Sequence, residues 1–392
     1  MRATRLSNIQ WFLNRSHHIA YMAFVVPGHP TPDEVAGLLD ELMAVFPRLS
    51  CEVDLARSQS FHARQGNTDD LLDLRPPQDF ARALAGLLAD LAEPFTPGLK
   101  PTFHCSVVPS RTRKETLLFF SAPHAAIEGI DVLKLGTPTR ERVAPTHAAR
   151  LKRGTLAILT LPLGVLQIGL APLLARPRHR FARRILSVDR QSLRAASGAA
   201  GVSWQGLLMA SMVNSGCGAV QMRLRLPCPV AVSEVPKLRS GLDDHSIQFR
   251  MRLGVLRPDA DLIQLARCCD RKLQPREKRR LSLYDIITAG LPLHRKLATW
   301  LPALYPARSF QYFPTSLSFS VVPPIRTHRF AGLAGATCIG SGSNTPALTS
   351  CIVTQSHGRV YMSLNLPADN DAPVAAICSQ LADVGIDCEV MI

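Results

Sequence analysis

Apolar residues recur at two different spacings along this chain, and the alternation between them lays out its elements. Ile19, Tyr21, Ala23 and Val25 share one face of an alternating run, which predicts a strand within residues 6–26. A helix follows: Thr31 stands at its N-cap, Pro32 in its first turn and Glu34 where a capping box closes. Val35, Leu38, Leu39, Leu42 and Phe46 form its stripe, and Pro47 stops it. A short strand in FPRLSCEVD, a helix over Phe80 to Leu91, a proline-rich turn and a strand through FHCSVV come next. A basic hairpin, Pro109 to Lys114, leads into the apolar run Leu117 to Phe120, a strand with His124 just past its end. Ala125 to Leu135 then reads as helix or turn, with Gly129 allowing a close backbone approach.

The second half repeats the mixture. A strand near Ile185, a helix over Asp189 to Ala196, a glycine break and a helix capped by Ser203 are followed by a central strand in LRLPCPVAVSEVPKLR. Residues 258–280 predict a helix ending in the basic run PREKRR, which suits a solvated surface or a docking patch for phosphate or an acidic carrier. In FPTSLSFSVVPP, Ser316, Ser318 and Ser320 share a strand face. The Gly/Ser-rich stretch from Gly340 reads as a turn through SGSNTP. Strands Leu348 to Thr354 and Arg359 to Asn365, a helix Pro373 to Val384 and a strand Cys388 to Ile392 complete the chain.

Composition narrows the classes. The 392 residues, 46% hydrophobic, suffice for two domains of ordinary size. The 10 cysteines are scattered without CxxC pairs or zinc spacing, so no disulfide framework or metal is expected, and a reducing cytoplasm fits. Met1 to Trp11 carries no secretory signal. The net charge of +15 implies attraction to anions such as CoA, an acidic carrier protein or an anionic membrane. Nucleic acid fits poorly, because aromatic residues make up only 6% and no nucleic-acid-binding motif appears. No GxSxG elbow, HExxH helix, P-loop or helix-opening GxGxxG is present, which removes the commonest hydrolase, protease and nucleotide readings.

Residues 155–175, TLAILTLPLGVLQIGLAPLLA, are uncharged over about the length a spanning helix needs. Pro162, Gly164, Gln167, Gly169 and Pro172 break the run, and arginines on both flanks give no orientation for a span. Two placements remain open: a broken apolar segment pinned on an anionic bilayer face, or a connection packed between the two halves.

The stretch Pro123–His124–Ala125–Ala126–Ile127–Glu128–Gly129 resembles the HHxxxDG motif of the condensation-domain and CoA-dependent acyltransferase superfamily, which includes bacterial wax ester synthases. His124 falls on the family's second, chemically active histidine, Glu128 on its structural aspartate and Pro123 on its first histidine. The order of elements also resembles the family's. The pair His17 and His18 does not make a second copy, because Met22 and Ala23 stand where the acid and glycine belong. Family members place an arginine after the central strand to engage the motif acid. Glu234 and Val235 occupy that position here, and Arg239 is the nearest arginine beyond it and so the partner expected for Glu128.

The resemblance implies an α/β fold of mixed sheets: two chloramphenicol-acetyltransferase-like subdomains forming a V-shaped pseudo-dimer with a central tunnel. The expected division is 1–150 with the motif, 151–184 as an apolar, Arg-flanked linker, and 185–392 with a crossover hairpin near 340–365. It implies transfer of an acyl group from a thioester, acyl-CoA or acyl carrier protein, to a hydroxyl or amine acceptor of lipid-like kind. His124 would be general base, Glu128, Gly129 and Arg239 would support the site, and Ser316, Ser318 and Ser320 would meet substrate. No metal and no permanently bound cofactor is implied, the phosphopantetheine thioester being co-substrate. The expected location is cytoplasmic, with peripheral contact to the inner membrane face. The alternative is a non-catalytic acyl- or CoA-binding, or peripheral membrane, protein of the same fold.

Overall fold

The computed structural model describes residues 4–6, 10–11, 19–54, 60–64, 66–91, 99–124, 126, 181–216, 228–234, 250–258, 261–273, 295–296, 299–300, 317–322, 327, 330–343, 349–367 and 371–392. In the first half come β1 (Thr4–Arg5), β2 (Ile19–Pro27), α1 (Pro32–Val45), β3 (Cys51–Asp54), β4 (Ser60–Ala63), β5 (Leu72–Leu74), α2 (Phe80–Asp90), β6 (Leu99–Pro101), β7 (His104–Pro109) and β8 (Glu115–Pro123). The second half supplies β9 (Phe181–Asp189), α3 (Arg190–Ala200), α4 (Trp204–Asn214), β10 (Cys228–Glu234), β11 (Arg250–Leu256) and α5 (Leu262–Leu273). It ends with β12 (Leu317–Val321), β13 (Thr337–Ser343), β14 (Ser350–Ser356), β15 (Arg359–Pro367), α6 (Ala372–Asp383) and β16 (Cys388–Val390).

Two large mixed sheets organise these elements. One runs β13-β2-β8-β7-β5, the other β11-β10-β12-β14-β15-β9-β16, and a small sheet β1-β4-β3-β6 lies beside the first. The run around Leu117 is apolar at consecutive positions because β8 is central and covered on both faces. Leu118, Phe120 and Ala122 pack with Phe24, Val26 and the α1 stripe Val35, Leu38, Leu39 and Leu42. Leu117 and Phe119 join Tyr21, Ala23 and the α2 residues Leu84, Leu87 and Leu88 on the other side. The second sheet buries Leu186, Val188, Leu317, Phe319, Cys351, Val353, Met362 and Leu364 with Leu193, Leu207, Met209, Ala266, Cys269, Ile377 and Leu381 of the helices.

Three sequence readings need correction. The helix expected over Asp189 to Ala196 extends to Ala200 with Asp189 as its N-cap. It ends at Gly201, whose φ of 63° is the left-handed conformation that glycine adopts without strain, whereas Gly198 sits inside the helix. Gly340 to Ser343 end a strand rather than opening a turn, while 344–346 of the expected turn lie outside the described residues. Finally, the hairpin of β14 and β15 stays within the seven-stranded sheet, and the strand that crosses to the first lobe is β13, antiparallel to β2.

Glycine explains both of the latter points. A Cβ at Gly340 would lie 2.7 Å from Ile185 Cδ1, and one at Gly342 would lie 2.6 Å from the Tyr21 hydroxyl oxygen. These glycines let β13 lie against the second sheet and the Tyr21 ring while pairing with β2, so they mark close approach within a strand. Ile185 and Tyr361 of the second sheet accordingly share an apolar cluster with Tyr21, Ala23, Leu117, Phe119 and Ile339 of the first.

Candidate active site

Strand β8 ends at Pro123, paired with Ile19, because proline has no N–H with which to continue the ladder. The Pro123 carbonyl then accepts from Ala126 N–H at 2.8 Å, closing a turn whose first central residue is His124. His124, half-buried, therefore leaves the sheet at the end of its central strand. Ser343 pairs with Ala20, and Ala20 with Ala122, so the end of the crossing strand β13 and the turn carrying His124 share one end of the sheet. Two strand spacings, about 10 Å, separate β13 from β8 along that row.

The second sheet turns a polar face toward this strand. Arg183, Asn365, Ser350 and Ser318 form one row across β9, β15, β14 and β12. Ile185, Ser363, Ile352 and Ser320 form the next. Paired residues point to the same side of a sheet, so these rows oppose the apolar face that packs on the helices. Ser363 Oγ accepts from Ser341 N–H of β13 at 3.2 Å, which fixes that face against the first lobe. Ser318 is buried and Ser320 half-buried on this face, as the alternation around them requires.

Burial dominates the electrostatics here. It pushes the Tyr21 phenol up to about 12, against the lowering effects of its hydrogen bond with Ser363 and of nearby Arg183. Cys338 on β13 is pushed up to about 12 by the same cause. Arg183, desolvated enough that its charge is disfavoured, donates from Nη1 to the Leu88 carbonyl in the last turn of α2, where the helix dipole favours a cation. Its Nε and Ser341 Oγ are buried with no hydrogen-bond partner among the described residues.

Of the residues expected from sequence, His124, Ser318 and Ser320 can be placed, whereas Glu128, Gly129, Arg239 and Ser316, with the 155–175 segment, lie outside the described residues. Tyr21, Arg183, Ser341 and Ser363 were not anticipated, because a polar residue in a strand resembles an ordinary solvent-facing position until its facing sheet is known. The close GSGS spacing of β13 was the available sign. Among the described residues there is no group of side chains able to hold a metal ion, and no helix long and apolar enough to cross a membrane.

No family model and no curated protein matches the chain. Solved structures do. The wax ester synthase/diacylglycerol acyltransferase from Marinobacter aquaeolei VT8 is similar over 97% of this chain and 100% of its own, with a TM-score of 0.57 at 15% identity. The EpoB NRPS cyclization-docking bidomain from Sorangium cellulosum matches 98% of this chain and 84% of its own, TM-score 0.53, identity 13%. Polyketide synthase associated protein 5 from Mycobacterium tuberculosis matches 97% of each chain, TM-score 0.53, identity 12%. At such identities the likeness establishes the two-lobed fold.

Proposed function

Starting from a chain that has the fold of the condensation-domain and CoA-dependent acyltransferase superfamily, we propose that it moves an acyl group from a thioester to a hydroxyl or amine acceptor, with His124 as general base. The observation that carries this reading is the position of His124: in the turn after the central strand, at the sheet end that β13 of the second lobe completes. A passage between the lobes would admit the thioester from one side and the acceptor from the other.

In the reaction a neutral imidazole takes the acceptor's O–H or N–H proton as the oxygen or nitrogen attacks the thioester carbon. The C–S bond then breaks and the leaving thiolate takes the proton back, so the histidine is regenerated. Ser318, Ser320 and Arg183 on the facing sheet, and Ser341 on β13, supply hydrogen-bonding groups. Buried donors without partners cost about 1–3 kcal/mol each, which favours a polar substrate group beside Ser341 Oγ and Arg183 Nε. The net charge of +15 suits a CoA or acidic carrier-protein donor and an anionic membrane surface as the source of a lipid acceptor. Pro123, standing where the family has its first histidine, favours a second reading in which the protein binds an acyl thioester without turning it over.

Mass spectrometry of acylated products that accumulate on expression separates these readings. The wild-type chain should yield an ester or amide missing from cells that make His124→Ala at equal level. Identical profiles from the two proteins would contradict the proposal.

A further inference from the structure

At the far edge of the second sheet, Cys378 of α6 and Cys388 of β16 stand with their sulfurs 3.2 Å apart and hydrogen-bonded. Both are free and half-buried, and both pack against the rim of the second lobe's core. The geometry follows from the reversal between them. Gly385, at a φ of 75° that only glycine takes without strain, lets Ile386 N–H return to the Leu381 carbonyl at 2.9 Å. The chain then runs back past the helix it has left and pairs Cys388 with Val188 at the sheet edge.

From this juxtaposition we infer that Cys378 and Cys388 form a reversible dithiol/disulfide site, oxidised by a hydroperoxide. A bonded pair needs about 2.05 Å between sulfurs, so closure asks for an approach of about 1 Å. One thiol attacks the peroxide, whose O–O bond breaks to give a sulfenic acid and one water. The second thiol then displaces the sulfenic oxygen as another water and leaves an S–S bond, so hydrogen peroxide accepts two electrons and yields two waters. Burial first, then the neighbouring Cys378, pushes the Cys388 thiol up, with Asp387 adding to the effect and Arg359 opposing it. Either thiol can meet the peroxide, and the other, 3.2 Å away, resolves it. Closure staples β16, an edge strand that among the described residues pairs only with β9, to the helix behind it.

The sequence offers a clean readout, because trypsin, cutting after Arg359, leaves a single peptide Val360–Ile392 that carries these two cysteines and no others. The full chain is treated with hydrogen peroxide, capped with N-ethylmaleimide and digested. The inference predicts that this peptide takes no maleimide and is lighter by two hydrogens at its cysteines, and that prior dithiothreitol restores two maleimides. In Cys388→Ser, dimedone should trap a sulfenic acid at Cys378. Two maleimides after peroxide, or a disulfide already present in untreated protein and opened only on unfolding, would overturn the inference.

Discussion

Gly342 lies opposite Tyr21 where β13 pairs with β2, and the Tyr21 ring covers the space a side chain at 342 would need. An alanine methyl at 342 would press 2.6 Å from the Tyr21 hydroxyl oxygen, and the phenol, buried and stacked on Phe119 with ring centroids 5.5 Å apart, would have to disturb that packing to give way. Gly342→Ala should therefore cost about 1–3 kcal/mol in urea unfolding, as overpacking does. A cost near zero would mean that β13 does not lie against that ring. Tyr21 also sets a pH dependence. Its pKa is raised by burial from 10.0 to about 12, so the unfolded chain releases the phenol proton first, and the stability it contributes is full below pH 10 and lost as pH rises through 12. Tyr21→Phe should be less stable at neutral pH by roughly 1 kcal/mol for the lost Ser363 bond, and the two proteins should converge between pH 10 and 12. Parallel stability curves across that range would refute the burial of this hydroxyl.

Helix ends obey local chemistry. The Thr31–Glu34 capping box was legible in the sequence, and the structure has both halves of it, Glu34 N–H donating to Thr31 Oγ1 at 3.3 Å and Thr31 N–H to Glu34 Oε2 at 2.7 Å. Ser203 was likewise legible as a cap, but not the carboxylate that holds it: Asp270 of α5 accepts from Ser203 N–H at 2.7 Å and from its hydroxyl. That link spans two helices, and only the fold brings them together. Asp270→Ala should lower stability by about 1–3 kcal/mol, since it strips a charged acceptor from the start of α4. Loss of amide protection in the first turn of α4 is the measurement, and unchanged exchange there would contradict it. The strand β13 was illegible for a related reason. Its Gly-Ser-Gly pattern carries the composition of a turn, whereas its glycines answer to Ile185, Ser363 and Tyr21, residues far away in sequence. Periodicity reports which face is buried, and not what presses on it.

At the scale of the molecule, the two large sheets are tied by β13, by the shared cluster around Tyr21 and Ile185, and by Arg183 reaching from β9 to the end of α2. Arg183→Met keeps much of the apolar stem and removes the tie. It should speed hydrogen exchange in the last turn of α2, with a cost of about 1.5–3 kcal/mol for a charged hydrogen bond. Unaltered exchange there would show that Arg183 does not tie the lobes at this point. The two-lobed fold was legible from the order of elements together with the PHAAIEG stretch, as was the place of His124 at a strand end. Beyond Ser318 and Ser320, the polar face of the second sheet was not, because its other members come from strands scattered between Arg183 and Asn365. The central claim concerns what His124 does there. Its most direct test is the rate of free-thiol release from an acyl-CoA presented to the purified protein with hydroxyl and amine acceptors. Acceptor-dependent release, reduced about 100-fold or more in a folded His124→Ala, is the predicted result, and equal rates in the two proteins would contradict it.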